Sequence, residues 1–260
     1  METEARAIRA EYKNKKRFAK KAYRTEKRGI KAAYRFEMAE YLKDETSDPQ
    51  NPPRRSVLEE TGNAVTHGVG AALSVAALVF MLIAAKSAVE YFSAVVYFVG
   101  LFFSFGTSCL YHSFRFGSRV KRLFRRFDYL SIYLLIGATY TPILLCFLGG
   151  VYGAVFCALQ WAIIAAGVTF IAVFGPVRFR KLHFALYILL GWSALLFLPK
   201  MISGNLPLFI AIFAGGVIYS AGIIPFAIKR KTAHFLWHFF VLFGAAAQWI
   251  GIYSFIFLRP

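Results

Sequence analysis

The sequence predicts an all-α polytopic membrane protein: seven transmembrane helices preceded by a basic cytoplasmic helix. Three observations predict it. Apolar residues make up 58% of the 260 residues and charged residues 17%, with a mean hydropathy of +0.54, whereas soluble domains run near ~45–50% apolar and about 25% charged. The charge is segregated, since residues 1–60 hold 16 of the 31 Lys/Arg and 11 of the 13 acids, which leaves Glu90 and Asp128 as the acids of the remainder. Seven apolar runs follow residue 61, most of them near the ~20 residues that cross a ~30 Å hydrocarbon core. A disordered chain, a secreted disulfide scaffold and a soluble α/β enzyme are thereby excluded. Cys109, Cys146 and Cys157 are odd in number, form no CxxC and lie in apolar runs, so they read as small core residues.

Residues 1–45 form the first expected unit. AIRAEYKNKKR (7–17), FAKKAYRTEKR (18–28) and GIKAAYRFEMA (29–39) align at a period of eleven. Eleven residues are close to a whole number of helical turns, so Ile8, Ala19 and Ile30, and likewise Tyr12, Tyr23 and Tyr34, stack on one stripe with Lys and Arg at its flanks. Two readings stand: a helix lying on anionic inner-leaflet lipid, or a solvated and partly disordered basic helix. No nucleic-acid partner is expected for a basic segment tethered at a bilayer. An apolar signal-peptide core is not expected either, because this stretch is the most charged of the chain. The linker, 46–60, contains Pro52 and Pro53, which stop the helix.

The third unit, 61–260, carries spans at roughly 63–85, 92–114, 128–148, 151–174, 182–198, 207–228 and 234–258. Each is apolar on nearly all faces, as lipid-embedded helices are. The fifth is short, and Gly175 and Pro176 mark the turn before it. Basic residues vote on orientation. Arg115, Arg119, Lys121, Arg122, Arg125 and Arg126 lie between spans 2 and 3, Arg178, Arg180 and Lys181 between 4 and 5, and Lys229, Arg230 and Lys231 between 6 and 7. With the basic head they outnumber Lys86, Lys200 and Arg259, the three on the other side. The expectation is a multi-pass cell-membrane protein with its N-terminus cytoplasmic and its C-terminus outside.

Ionisable residues inside a bilayer are costly and mark function. Glu60 and His67 enter the first span, Ser108 and His112 end the second, Asp128 opens the third, and His234 and His238 open the seventh. In the expected topology all lie at the cytoplasmic side. His234 and His238 (HFLWH) are four apart and project from one helix face, the spacing by which a helix offers two imidazoles to one metal. Ser108 and His112 (SCLYH) share that spacing. His112 would complete a three-histidine set, which leaves a zinc ion one open position for a water that ionises near pH 7. Asp128 could act as base or orient a histidine, and Ser108 could donate to a developing oxyanion. Blander readings remain for each taken singly: paired interfacial anchors for the histidines, a backbone-bonded serine, an aspartate paired with Arg125 and Arg126. His183 has no partner at helical spacing and reads as an interfacial residue.

Read in order, the motifs resemble the hemolysin III family. They are ExxNxxxH (Glu60, Asn63 and His67 in EETGNAVTH), SxxxH followed by Asp128, GATYTP (137–142) and HxxxH. The family belongs to a wider set of seven-helix membrane proteins that includes the progestin and adipoQ receptors and the alkaline ceramidases. The resemblance covers about 57–258 and leaves the repeat outside. It implies one zinc ion on His112, His234 and His238, with Ser108 and Asp128 beside it as catalytic groups and Glu60, Asn63 and His67 as a polar cluster below the site that is either structural or supports the ligands. It implies a zinc-dependent hydrolase of membrane-lipid amides or esters that serves membrane homeostasis, with lysis of red cells as a by-product. The alternative is a non-catalytic sensor or receptor of membrane state with structural zinc. Membrane lipids are the expected substrate or ligand. No half-to-half symmetry of the kind transporters show is evident.

Overall fold

The computed structural model describes residues 2–47, 51–227 and 232–259, with side chains from Arg6 to Phe36 in the first stretch. Residues 48–50 of the linker, and Lys229, Arg230 and Lys231 of the sixth loop, lie outside the described residues. Every described element is helical. The chain divides into two compact units, Met1–Asn51 and Pro52–Pro260.

The first unit is one helix, α1 (Glu2–Ser47), 46 residues long and so roughly 70 Å at 1.5 Å per residue. Ala, Lys, Arg and Glu dominate it, all strong helix formers, and its single interior glycine is Gly29. Ile8, Tyr12, Tyr23, Ile30 and Tyr34 are each 60–67% exposed, so nothing within the unit covers the repeat stripe.

The second unit is a bundle. Its helices are α2 (Val57–Ala84), α3 (Ala88–Ser113), α4 (Arg119–Pro142), α5 (Gly150–Phe174), α6 (Arg180–Gly191), α7 (Leu198–Ala227) and α8 (Ala233–Ile252). π-Helical turns extend α4 to Leu148 and α8 to Phe257, and a 3₁₀ turn, Ser193–Phe197, joins α6 to α7. Serines start three of the helices. Ser56 accepts from the backbone of Glu59, whose carboxylate returns the bond, while Ser87 accepts from Glu90 and Ser118 from Lys121.

The start of α4 departs from expectation. Asp128 does not open the helix; Ser118 caps it, and α4 begins at Arg119, nine residues before the span expected at 128. Most of the basic residues assigned to the connecting loop therefore lie on the first turns of a helix. Residues 57–60 likewise belong to α2 rather than to a linker, which brings Glu59 and Glu60 into the bundle.

Among the described residues, six helical stretches are long and apolar enough to cross a membrane. One of them, Arg180–Ala227, runs 48 residues and holds the run expected at 182–198 and, up to Ala227, the one expected at 207–228. It is not one straight helix. Asn205 leaves helical geometry (φ −164°, ψ 84°), and its Oδ1 accepts from the Leu208 amide at 2.9 Å. That is the geometry of a fresh N-cap, and Pro207 then sits in a first turn, where its missing N–H costs nothing.

Contacts are most extensive between α2 and α3, α3 and α4, and α7 and α8. At Gly100 a side chain would collide with Ala138 of α4, so the glycine lets α3 and α4 close together, as small residues do where helices pack in lipid. The GATYTP segment proves to be a joint. The Tyr140 hydroxyl donates to the Gly191 carbonyl at 2.6 Å, and the Trp161 indole donates to Thr141 Oγ1 at 3.1 Å. These bonds tie α4 to α5 and α6. His183 is buried by its neighbours, with Nδ1 3.0 Å from the Tyr133 hydroxyl.

Candidate metal centre

The first two turns of α8 and the last turn of α3 bring three imidazoles together. His112 Nε2 lies 3.3 Å from His234 Nε2, and His238 Nε2 lies 3.3 Å from the same atom. One ligand atom from each of the three falls within 4.8 Å of the others. His112 and His238 are buried and His234 is half-buried.

The approach of α8 to α2 has a visible cause. The Thr232 amide, in left-handed geometry just before α8, donates to Glu59 Oε1 at 2.7 Å. Gly62 faces the Phe235 ring, where a Cβ would press on it. The α8 N-terminus is thus held at the α2 N-terminus, with His234 and His238 on the side facing α3.

The residues fit a metal ion. His112 Nδ1 is 2.6 Å from Glu60 Oε2, and a carboxylate only accepts, so Nδ1 carries the proton of the neutral ring and Nε2 is left with its lone pair. That nitrogen faces two more imidazole nitrogens. Bare lone pairs at such distances repel unless a proton or a cation lies among them. A histidine ligand whose far N–H is held by a carboxylate is the arrangement that fixes orientation and raises ligand basicity in metal sites. Three imidazoles suit zinc and several other first-row ions alike.

Behind Glu60 stands a residue that its sequence position did not single out. Lys121 is fully buried, and its ammonium donates to the Tyr111 and Phe114 carbonyls at 2.9 and 3.0 Å, with Glu60 Oε1 at 3.1 Å. It satisfies the carbonyls at the end of α3 while pairing with the carboxylate that holds His112. In the sequence it is one of six basic residues between two spans, and its burial against Glu60 sets it apart.

The ExxNxxxH residues lie on one face of α2 and flank the rings. Asn63 Nδ2 is 3.4 Å from His112 Nδ1, and His67 stacks on His238 with centroids 3.8 Å apart at 27°. Both ring nitrogens of His67 are buried without a hydrogen-bond partner. Ser108, one turn before His112, is buried, and its hydroxyl interacts with the Asp128 carboxyl of α4. Neither Ser108 nor Asp128 belongs to the converging nitrogen set. Both instead line a cavity of about 170 Å³ together with His67, His234 and His238. Ile132, Ile136, Tyr187 and Trp237 contribute apolar wall to the same cavity.

Residues 55–249 match the haemolysin-III related family. A Hemolysin-3 of Bacillus cereus is 38% identical over 209 residues, covering 77% of this chain and 93% of that protein. A Hemolysin-3 homolog of Bacillus subtilis (strain 168) is 35% identical over 202 residues, covering 76% and 94%. Human Monocyte to macrophage differentiation factor is 28% identical over 185 residues, covering 66% and 73%. The matched span begins at Arg55 and includes each histidine of the cluster, so the chain belongs to the haemolysin-III related family of membrane proteins.

Proposed function

We propose that this protein is a zinc-dependent hydrolase of membrane-lipid amides or esters, crossing the bilayer seven times with its N-terminus cytoplasmic. The observation that carries the reading is that one cavity is lined by two of the three converging histidines, a serine and a carboxylate. The seven crossings rest on the Asn205 break, because 48 residues of helix span roughly 70 Å and a bilayer core about 30 Å. The orientation rests on the distribution of Lys and Arg.

His112, His234 and His238 would hold the ion. When bound, zinc at such a site supplies a Lewis acid and lowers the pKa of water toward neutrality. The protein's own residues then have separate tasks. Glu60 holds His112 by its Nδ1–H, with Lys121 pairing to the same carboxylate. The Asp128 carboxylate accepts the proton of the attacking water and passes it to the leaving amine or alkoxide. The Ser108 hydroxyl donates to the oxygen on which charge develops. The apolar cavity wall excludes bulk water and takes the lipid chain.

A second reading is favoured by one observation. A cavity of about 170 Å³ is small beside the ~300–1,000 Å³ of typical ligand pockets. In a non-catalytic sensor of membrane state, the metal would tie α3 to α8 and nothing would turn over. Elemental analysis of the purified protein, paired with a lipid-turnover screen with and without chelator, separates the two. Stoichiometric zinc with chelator-sensitive release of fatty acid supports the hydrolase. Zinc whose removal loosens the fold, with no turnover in either state, supports the sensor.

A further inference from the structure

Two guanidinium groups reach the cavity. Arg55, just before α2, and Arg125 of α4 both line it. Glu60 is committed to Lys121 and His112, and Glu59 to the Ser56 and Thr232 amides. Asp128 is the carboxylate among the residues that line the cavity, and both guanidinium groups act on it. Arg125 is buried, and Arg55 Nη1 is buried with no hydrogen-bond partner. A buried charged donor without a partner is strongly unfavourable, and a metal ion on the histidines would add positive charge nearby.

We propose that Arg55, with Arg125 beside it, binds the phosphate of a phospholipid whose acyl chain occupies the cavity. A guanidinium presents a planar fork of donors that matches the oxygens of a phosphate, and the rest of the wall is apolar. Both features meet in one molecule at a bilayer surface. The proposal deepens the lipid-hydrolase reading and rests on it in one respect: a phosphate at Arg55 leaves the adjoining ester or amide beside Ser108, Asp128 and the histidines.

Binding tests it independently of turnover. Trp192 and Trp237 line the cavity, so a lipid with a brominated acyl chain quenches their fluorescence when it enters. The full-length protein in uncharged detergent is titrated with brominated lysophosphatidic acid, with the monoacylglycerol of the same chain, and with the same fatty acid, each with and without added zinc. Lysophosphatidic acid should bind about 10-fold or more tighter than the monoacylglycerol, the effect of one charge-assisted hydrogen bond in a desolvated site. Arg55→Gln should remove that preference and leave monoacylglycerol affinity within about twofold, while Arg55→Lys should retain part of it.

Equal affinity for lysophosphatidic acid and monoacylglycerol in the wild-type protein overturns the proposal, whatever the folding of the variants. So does an undiminished preference in Arg55→Gln. Tighter binding of the fatty acid than of lysophosphatidic acid reassigns the site to a carboxylate, and displacement by equimolar inorganic phosphate reassigns it to free phosphate. A protein that shows the preference but releases no product keeps the phosphate site and loses the hydrolase reading; turnover without the preference does the reverse.

Discussion

His112 Nδ1 and Glu60 Oε2 stand 2.6 Å apart across 52 residues of chain, and this bond decides which nitrogen of His112 faces the other two histidines. Glu60→Gln keeps the size and removes the charge, and the amide can present an N–H where the carboxylate accepted. Metal affinity should fall about 10–100-fold, the usual cost of losing such a partner. Competition against a chelator of known affinity measures it, and unchanged affinity would free His112 from Glu60.

Lys121 is the other half of that support. Lys121→Met strands the Glu60 carboxylate and leaves two α3 carbonyls without their donor. Breaking one side of a buried ion pair costs about 3–5 kcal/mol. The expected result is a clear drop in the thermal unfolding midpoint of the metal-free protein, with Lys121→Met plus Glu60→Gln less unstable than the sum of the two single changes. Additive losses would show that the two residues act separately.

The ligand set is tested one histidine at a time. His234→Ala and His238→Ala should each reduce bound metal to well below one ion per chain in the purified protein. Full metal content in His238→Ala would remove it from the set and leave its stacking on His67 as its role.

Asp128 lies outside the nitrogen cluster but inside the cavity. Asp128→Asn should therefore keep the metal while slowing hydrolysis by about 10²–10⁴-fold, the contribution typical of an acid–base group. Equal turnover in the two proteins would assign the proton to another group.

The exposed stripe of α1 makes a separate prediction. If Ile8, Tyr12, Tyr23, Ile30 and Tyr34 rest on lipid, deleting residues 1–45 should weaken binding of the protein to anionic vesicles, and the lost component should be the salt-sensitive one. Binding that ignores salt before and after deletion favours the solvated helix.

Much of the fold is legible in the sequence because lipid as solvent makes a simple demand: apolar side chains all round and backbone bonds satisfied within each segment. Run lengths, the basic loops and the repeat of α1 are local properties and can be read locally. The histidine cluster is legible for a similar reason, since a four-residue spacing already places His234 and His238 on one face. Boundaries at polar residues were harder. Asp128 looked like a helix start, but the Ser118 cap and an amphipathic first stretch carry α4 nine residues further back.

What the tertiary structure alone decided is which polar groups share an environment. Lys121 and Arg55 read as two basic residues among many; in the bundle one is sealed against Glu60 and the other turns a donor into a cavity. His67 and His183, one expected in a polar cluster and the other at an interface, are both buried. Periodicity along a chain records which face a residue occupies. The energy of a charge depends on the dielectric around it and on the partner opposite, and both are supplied by helices far away in sequence.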